Sequence, residues 1–118
     1  MEITIYHNPR CSKSRQALSL LREAGVQPRI VEYLKTPPSE TELARLLDLL
    51  GLEPRELMRR KEREYCELGL DDGDLDRESL IRAIHRHPGL LERPVVVRGN
   101  RAVLGRPPER VRELLDDG

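Results

Sequence analysis

Cys11 stands in a short polar turn, "YHNPRCSKSR" (residues 6–15), with Arg10, Lys13 and Arg15 around it and His7 on the same stretch. A cysteine so placed is an inert small side chain, a metal ligand, half of a disulfide or a nucleophile. A structural zinc site needs four ligands at set spacings. No such pattern accompanies Cys11, and the position that would complete a C-x-x-C is Ser14. Inert cysteines sit more often among apolar neighbours than between an arginine and a serine. A nucleophilic cysteine has to be a thiolate, and a helix N-terminus with nearby cations lowers a thiol pKa from about 8.5 to about 3.5–7.5. The same N–H groups bind oxyanions, so the turn can serve as nucleophile and anion cradle together. Cys66, in "EYCELGL", has only Arg63 as a local cation and reads as incidental, with a second-thiol role left open.

Four arginines form a second layer: Arg59 and Arg60 in "LMRRK", Arg93 in "ERPVVV" and Arg106 in "LGRPPE". Guanidinium groups grip tetrahedral oxyanions through two parallel hydrogen bonds and keep their charge. Singly, each reads as a solvated surface residue in a chain that is 36% charged. The histidines of "HRHP", His85 and His87, are spaced i, i+2 near a helix end. That spacing points them to different sides of a helix, and imidazoles there suit the C-terminal dipole better than a metal.

The elements that position these groups follow from periodicity. "ITIY" (3–6) reads as a strand. Residues 12–24 predict a helix with Ala17, Leu20, Leu21 and Ala24 inward, Ser12 as N-cap and Gly25 beyond its end. "RIVEYL" (29–34) reads as a second strand. After "KTPPSE", Ser39 with Glu42 signals a helix start, and Leu43, Leu46, Leu47 and Leu50 make its apolar face before Gly51. Pro54 opens a short helix, another ends near Gly69, and a third carries Leu80, Ile81 and Ile84 inward and ends before Pro88. "RPVVVR" and "RAVL" form a hairpin about Gly99 and Asn100, and Val111, Leu114 and Leu115 mark a closing helix.

The order is β-α-β, a block of helices, then β-β-α. A β-α-β unit makes its two strands parallel, and the hairpin adds antiparallel pairing. This predicts a thioredoxin-like α/β fold: one domain over 1–118, a mixed four-stranded sheet flanked by helices, with a helical insertion at about 39–87. Cys11 then falls after the first strand, at the N-terminus of the first helix. Pro94 falls at a strand start, where thioredoxin-like folds place a cis-proline beside the active cysteine and so hold the Arg93 backbone in the site.

The 118 residues fit a single domain. With 21 basic and 21 acidic residues, no Phe, no Trp and three Tyr, the chain lacks the basic excess of a nucleic-acid binder and has almost no aromatic material for base stacking. No stretch approaches the ~18–20 apolar residues of a membrane span. "MEITIYHN" lacks the parts of a secretory signal, so the expected location is the cytoplasm, where a structural disulfide between Cys11 and Cys66 is disfavoured.

The segments "ITIYHNPRCSKSR", "YLKTPPS", "LMRRKE", "ELGL", "HPGLLERPVVV" and "GRPPE" carry a resemblance that runs almost end to end. The chain resembles the glutaredoxin-coupled arsenate reductases. The resemblance implies that Cys11 is the nucleophile and that Arg59, Arg93 and Arg106 bind arsenate and its thiol adducts. It implies supporting roles for His7, which affects the cysteine's ionisation, and for Asn8, Ser14 and Pro94. It also implies glutathione as co-substrate, glutaredoxin as partner, and no bound cofactor or metal. Ser14 in place of a second cysteine sends the search for the resolving thiol outside the chain. Two relatives of the scaffold remain as alternatives: glutathione-dependent thiol reductases acting on another substrate, and Spx-type regulators that bind RNA polymerase. The latter usually carry the C-x-x-C that this chain lacks. A cysteine at position 66 departs from the family pattern.

Overall fold

The sheet begins with β1 (Ile3–His7), whose inward positions Ile3 and Ile5 are buried, as are Tyr6 and His7 at its C-terminal end. A computed structural model describes residues 2–115 of the chain. The helix α1 (Ser12–Glu23) connects β1 to β2 (Arg29–Glu32), and β1 and β2 pair in parallel with Ile5 opposite Ile30. β3 (Val95–Arg98) pairs antiparallel with β1, Val96 opposite Ile5, and β4 (Arg101–Leu104) pairs antiparallel with β3. The strand order is β2-β1-β3-β4. This is the mixed four-stranded, thioredoxin-like sheet that the β-α-β…β-β-α order implies. The β3–β4 turn has Gly99 at φ 59°, the left-handed value that a two-residue hairpin needs at its first central position.

One core fills this part of the chain. Ile3 and Ile5 of β1, Ala17, Leu18 and Leu21 of α1, and Val96 and Val103 of the hairpin pack with Val111 and Leu114. Fully burying each large aliphatic side chain contributes about 1.5–3 kcal/mol.

Several boundaries differ from the sequence-based expectations. Cys11, not Ser12, is the N-cap of α1: its backbone is extended and its carbonyl accepts the Arg15 N–H at 3.0 Å. The buried stripe of α1 is Ser14, Ala17, Leu18 and Leu21, while Leu20 is half-buried and Ala24 exposed. The stripe starts on a serine, so a count of apolar residues alone rotates it. β2 stops at Glu32, because the Glu32 carbonyl accepts the N–H groups of both Lys35 and Thr36 and turns the chain. The closing segment Pro108–Leu114 is a 3₁₀ helix. Its buried residues Pro108, Val111 and Leu114 recur every third position, which is the repeat of a 3₁₀ helix and leaves Leu115 half-buried.

The chain divides into two compact units, one made of residues 37–92 and the other of the remainder. In the 37–92 unit, α2 (Glu40–Leu50) starts where Ser39 Oγ accepts the Glu42 N–H at 3.0 Å and stops at Gly51, whose φ of 68° closes it. α4 (Arg77–Arg86) starts where the Asp76 carboxylate accepts the Ser79 N–H at 2.8 Å. These helices pack through Leu43, Leu46 and Leu47 against Leu80, Ile81 and Ile84, with Leu50 half-buried. Short 3₁₀ turns at Pro54–Leu57 and Pro88–Leu90 also rest on α4, and α3 (Arg63–Glu67) completes the unit.

Candidate active site

The Cys11 turn is held by hydrogen bonds along its own length. Asn8 supplies three of them: its carbonyl accepts the Cys11 N–H at 3.0 Å, its side-chain Oδ1 accepts the Arg10 N–H at 3.0 Å, and its own N–H donates to Ser14 Oγ at 3.1 Å. His7 Nδ1 lies 2.6 Å from the same Ser14 oxygen. The Arg15 guanidinium donates to the Pro9 carbonyl at 2.9 Å, so this cation braces the turn. The turn is therefore a hydrogen-bonded cradle that ends on an N-cap cysteine.

Cys11 is half-buried, and burial by itself pushes its thiol up. The Ser14 N–H at the helix start, the Arg93 guanidinium, which also hydrogen-bonds the sulfur, and the Lys13 N–H outweigh that and hold the thiol below its ordinary value. Sγ makes no capping hydrogen bond of strict geometry, so the two backbone N–H groups act on it as oriented dipoles. The sequence offers Arg10, Lys13 and Arg15 as the local cations, but the charge that acts on the sulfur is that of Arg93, far away in sequence; Lys13 acts through its backbone.

Arg93 arrives there through the β3–β4 hairpin. The Arg93–Pro94 peptide bond is cis, as expected, and so is Arg106–Pro107. The Pro94 carbonyl accepts the Gly105 N–H at 2.8 Å, and the Arg106 guanidinium donates to the Arg93 carbonyl at 3.1 Å. Pro94 and Gly105 are in close contact: a Cβ on Gly105 would lie 2.8 Å from Pro94 Cγ. The Nε–H of Arg93 is buried and has no hydrogen-bond partner. A donor left in that state is poised for an acceptor that a bound oxyanion can provide.

Arg59 belongs to the 37–92 unit. Its N–H donates to the Leu90 carbonyl at 2.7 Å, beside an antiparallel bridge between Met58 and Leu91. Its guanidinium is ion-paired with Glu62. In the same unit His85 Nδ1 lies 2.7 Å from the Pro38 carbonyl, to which it donates, and His87 pairs with Glu64 at 3.1 Å. The two histidines thus serve different partners. Among the described residues no cluster of three His, Cys, Asp or Glu side chains could hold a metal ion. Cys66 is exposed, on α3.

A model of the ArsC family matches residues 6–114, nearly the whole chain. The chain belongs to the ArsC family. Its similarity to curated members is high: 52% identity to an arsenate reductase of Neisseria meningitidis over 97% of this chain and 98% of that one. The uncharacterized protein YfgD of Escherichia coli is also 52% identical, over 97% of each chain. Among solved structures, the arsenate reductase from Vibrio cholerae superposes with a TM-score of 0.94 at 51% identity, over 96% of this chain and 97% of that one.

Two features of this ArsC chain escaped the reading of its sequence. Gly105 carries no turn signal of its own; its adjacency to Arg106 in "LGRPPE" is the one sequence feature that points to it. Glu62 lies in a run of charges that hides it, although its i, i+3 spacing from Arg59 predicts a pair. No helix of the described residues is long and apolar enough to cross a membrane.

Proposed function

We propose that this chain reduces arsenate to arsenite through a covalent adduct on Cys11. The observation that carries the reading is the Arg93 guanidinium beside the N-cap thiol of Cys11, with a buried Nε–H still without an acceptor. The family membership and the arsenate reductases to which the chain is similar support the same substrate.

The Cys11 thiolate attacks the arsenic of arsenate, and one arsenate oxygen leaves as water after protonation, giving a Cys11–S–As(V) bond. Arg93, Arg106 and Arg59 neutralise the oxyanion, whose charge the protein must stabilise without reorganising. Glutathione then attacks the arsenic through its thiol, and a second oxygen leaves as water. A glutaredoxin thiol attacks the glutathione sulfur. The arsenic keeps the electron pair of that S–As bond and becomes As(III), and the two outside thiols become a mixed disulfide. Water releases arsenite from Cys11 and restores the thiol. The electrons come from thiols, so the scheme calls for no flavin, nucleotide or metal. It suits a reducing compartment, and we place it in the cytoplasm.

Asn8 and Ser14 shape the turn, Pro94 holds the Arg93 backbone, and His7 is the titratable group bonded to Ser14 in this scheme. The test is arsenite formation by the purified protein with glutathione and glutaredoxin. Cys11→Ser is expected to abolish it. Turnover that survives in Cys11→Ser sinks the scheme, and activity on a glutathione mixed disulfide with none on arsenate replaces the substrate with a thiol one.

A further inference from the structure

We infer that Glu62 is a built-in competitor for Arg59: a positioning residue whose carboxylate occupies the guanidinium until a tetrahedral oxyanion displaces it. The inference rests on the reading of Arg59 as an oxyanion ligand. Four observations carry it. The Arg59 and Glu62 side chains form an ion pair, and each is one-third exposed. The Glu62 N–H donates to the Arg59 carbonyl at 3.0 Å, so a tight turn sets the carboxylate over its partner. The Arg59 backbone is pinned by the Leu90 carbonyl at 2.7 Å, so only the side chain has to move when the pair opens. The neighbouring arginines are engaged elsewhere: Arg60 donates to the Arg55 carbonyl and Arg63 pairs with Glu67.

Carboxylate and tetrahedral oxyanion compete for the same planar fork of N–H donors. An approaching oxyanion therefore meets a neutral pair where it would otherwise meet a free positive charge. The pair is partly exposed, so opening it returns the carboxylate to water and does not strand a buried charge. Pairs of this kind are weak, which makes the competition a modest brake on affinity of about two- to fivefold.

The experiment is a double-mutant cycle on the full chain with Glu62→Gln, Arg59→Gln and the double variant. Two readouts are taken: the arsenate concentration that half-protects Cys11 from alkylation, and KM with kcat for arsenite formation. Glu62→Gln is nearly isosteric and removes only the charge. It is expected to lower half-protection and KM about two- to fivefold with kcat unchanged, and to change neither in the Arg59→Gln background. The inference is overturned if Arg59→Gln weakens protection while Glu62→Gln leaves it unchanged or weakens it too. It is also overturned if the Glu62→Gln gain persists without Arg59, since the carboxylate would then act through the general field. Unaltered protection in Arg59→Gln overturns the role of Arg59 itself, and the inference with it. Absence of any protection of the parent protein by arsenate overturns the proposed function.

Discussion

Ser14 Oγ lies 2.6 Å from His7 Nδ1 while accepting the Asn8 N–H at 3.1 Å, and the serine has no exposed surface. Both contacts are satisfied at once when the hydroxyl donates its proton to Nδ1, which leaves the imidazole proton on Nε2. The serine at the third position of α1 thus ties the end of β1 to the start of the helix that carries Cys11 at its N-cap.

Ser14→Ala removes that tie. It leaves the buried Asn8 N–H and His7 Nδ1 without partners, and a stranded buried polar group costs about 1–3 kcal/mol. The better helix propensity of alanine returns only about 0.5 kcal/mol. Urea unfolding is expected to show a net loss in that range with an unchanged m-value. A variant as stable as the parent would show that the Ser14 contacts contribute nothing net.

Arg93→Gln tests the electrostatics of the thiol. Arg93 acts on Cys11 both as a nearby charge and as a hydrogen-bond donor, so its loss raises the thiol pKa. The pH profile of Cys11 alkylation, followed in a Cys66→Ser background, is expected to move to higher pH. Arsenate turnover is expected to fall by about 10²–10³-fold, the scale for losing one preformed oxyanion donor. An unmoved alkylation profile would assign the lowered pKa to the helix N–H groups alone.

The strands, the parallel pairing of β1 with β2, the hairpin and the position of Cys11 were legible in the sequence because each rests on local pattern: β-branched runs, one amphipathic helix, a Gly-Asn turn. The order β2-β1-β3-β4 rests on the pairing of β3 with β1, which residues far apart in the chain decide. The α1 stripe was misplaced by the same reliance, since Ser14 is buried for its hydrogen bonds and no apolar count finds it. The anion site was legible only in part. Arg93 and Pro94 announce themselves by a proline at a strand start. The engagement of Arg106 with the Arg93 carbonyl depends on hairpin register, which residue types do not encode one at a time. The pattern Val111, Leu114 and Leu115 fits an α-helix, whereas the three-residue repeat of Pro108, Val111 and Leu114 decides for a 3₁₀ helix.

Gly105→Ala is expected to destabilise the hairpin by about 1–3 kcal/mol, as overpacking does in a tight interior. The added Cβ meets the Pro94 ring at 2.8 Å and Val111 Cγ1 at 3.4 Å, and a proline ring has no rotamer by which to retreat. Since Pro94 follows Arg93, arsenate KM should rise along with the lost stability. A thermal melt matching the parent, within about 0.5 kcal/mol, would show that the backbone yields there.

Cys66→Ser separates inside from outside resolving thiols. Cys66 is exposed on α3, in the 37–92 unit, and the scheme draws its second and third thiols from glutathione and glutaredoxin. Turnover with both supplied is expected to match the parent. A loss of ten-fold or more on the scale of one missing reactive group would make Cys66 a participant.

His7 gives the protein a defined acid sensitivity. Burial holds its imidazole below the ordinary histidine value; Glu32 pulls the other way, while Arg22 and Arg15 add to the lowering. Well above the ordinary histidine value of about 6.5 the residue is neutral in both folded and unfolded chains and contributes no pH dependence. Below that value the unfolded chain takes up the proton first, so stability is lost as pH falls, until the folded protein protonates at its own lower pKa. The slope from this one group is at most about 1.4 kcal/mol per pH unit. His7→Gln keeps a polar group near Ser14 and removes the titration. Urea unfolding of parent and variant between about pH 7.5 and 5.5 should therefore show a shallower acid decline in the variant. Parallel declines would place the acid sensitivity in carboxylates, whose paired native forms are also lost on acidification.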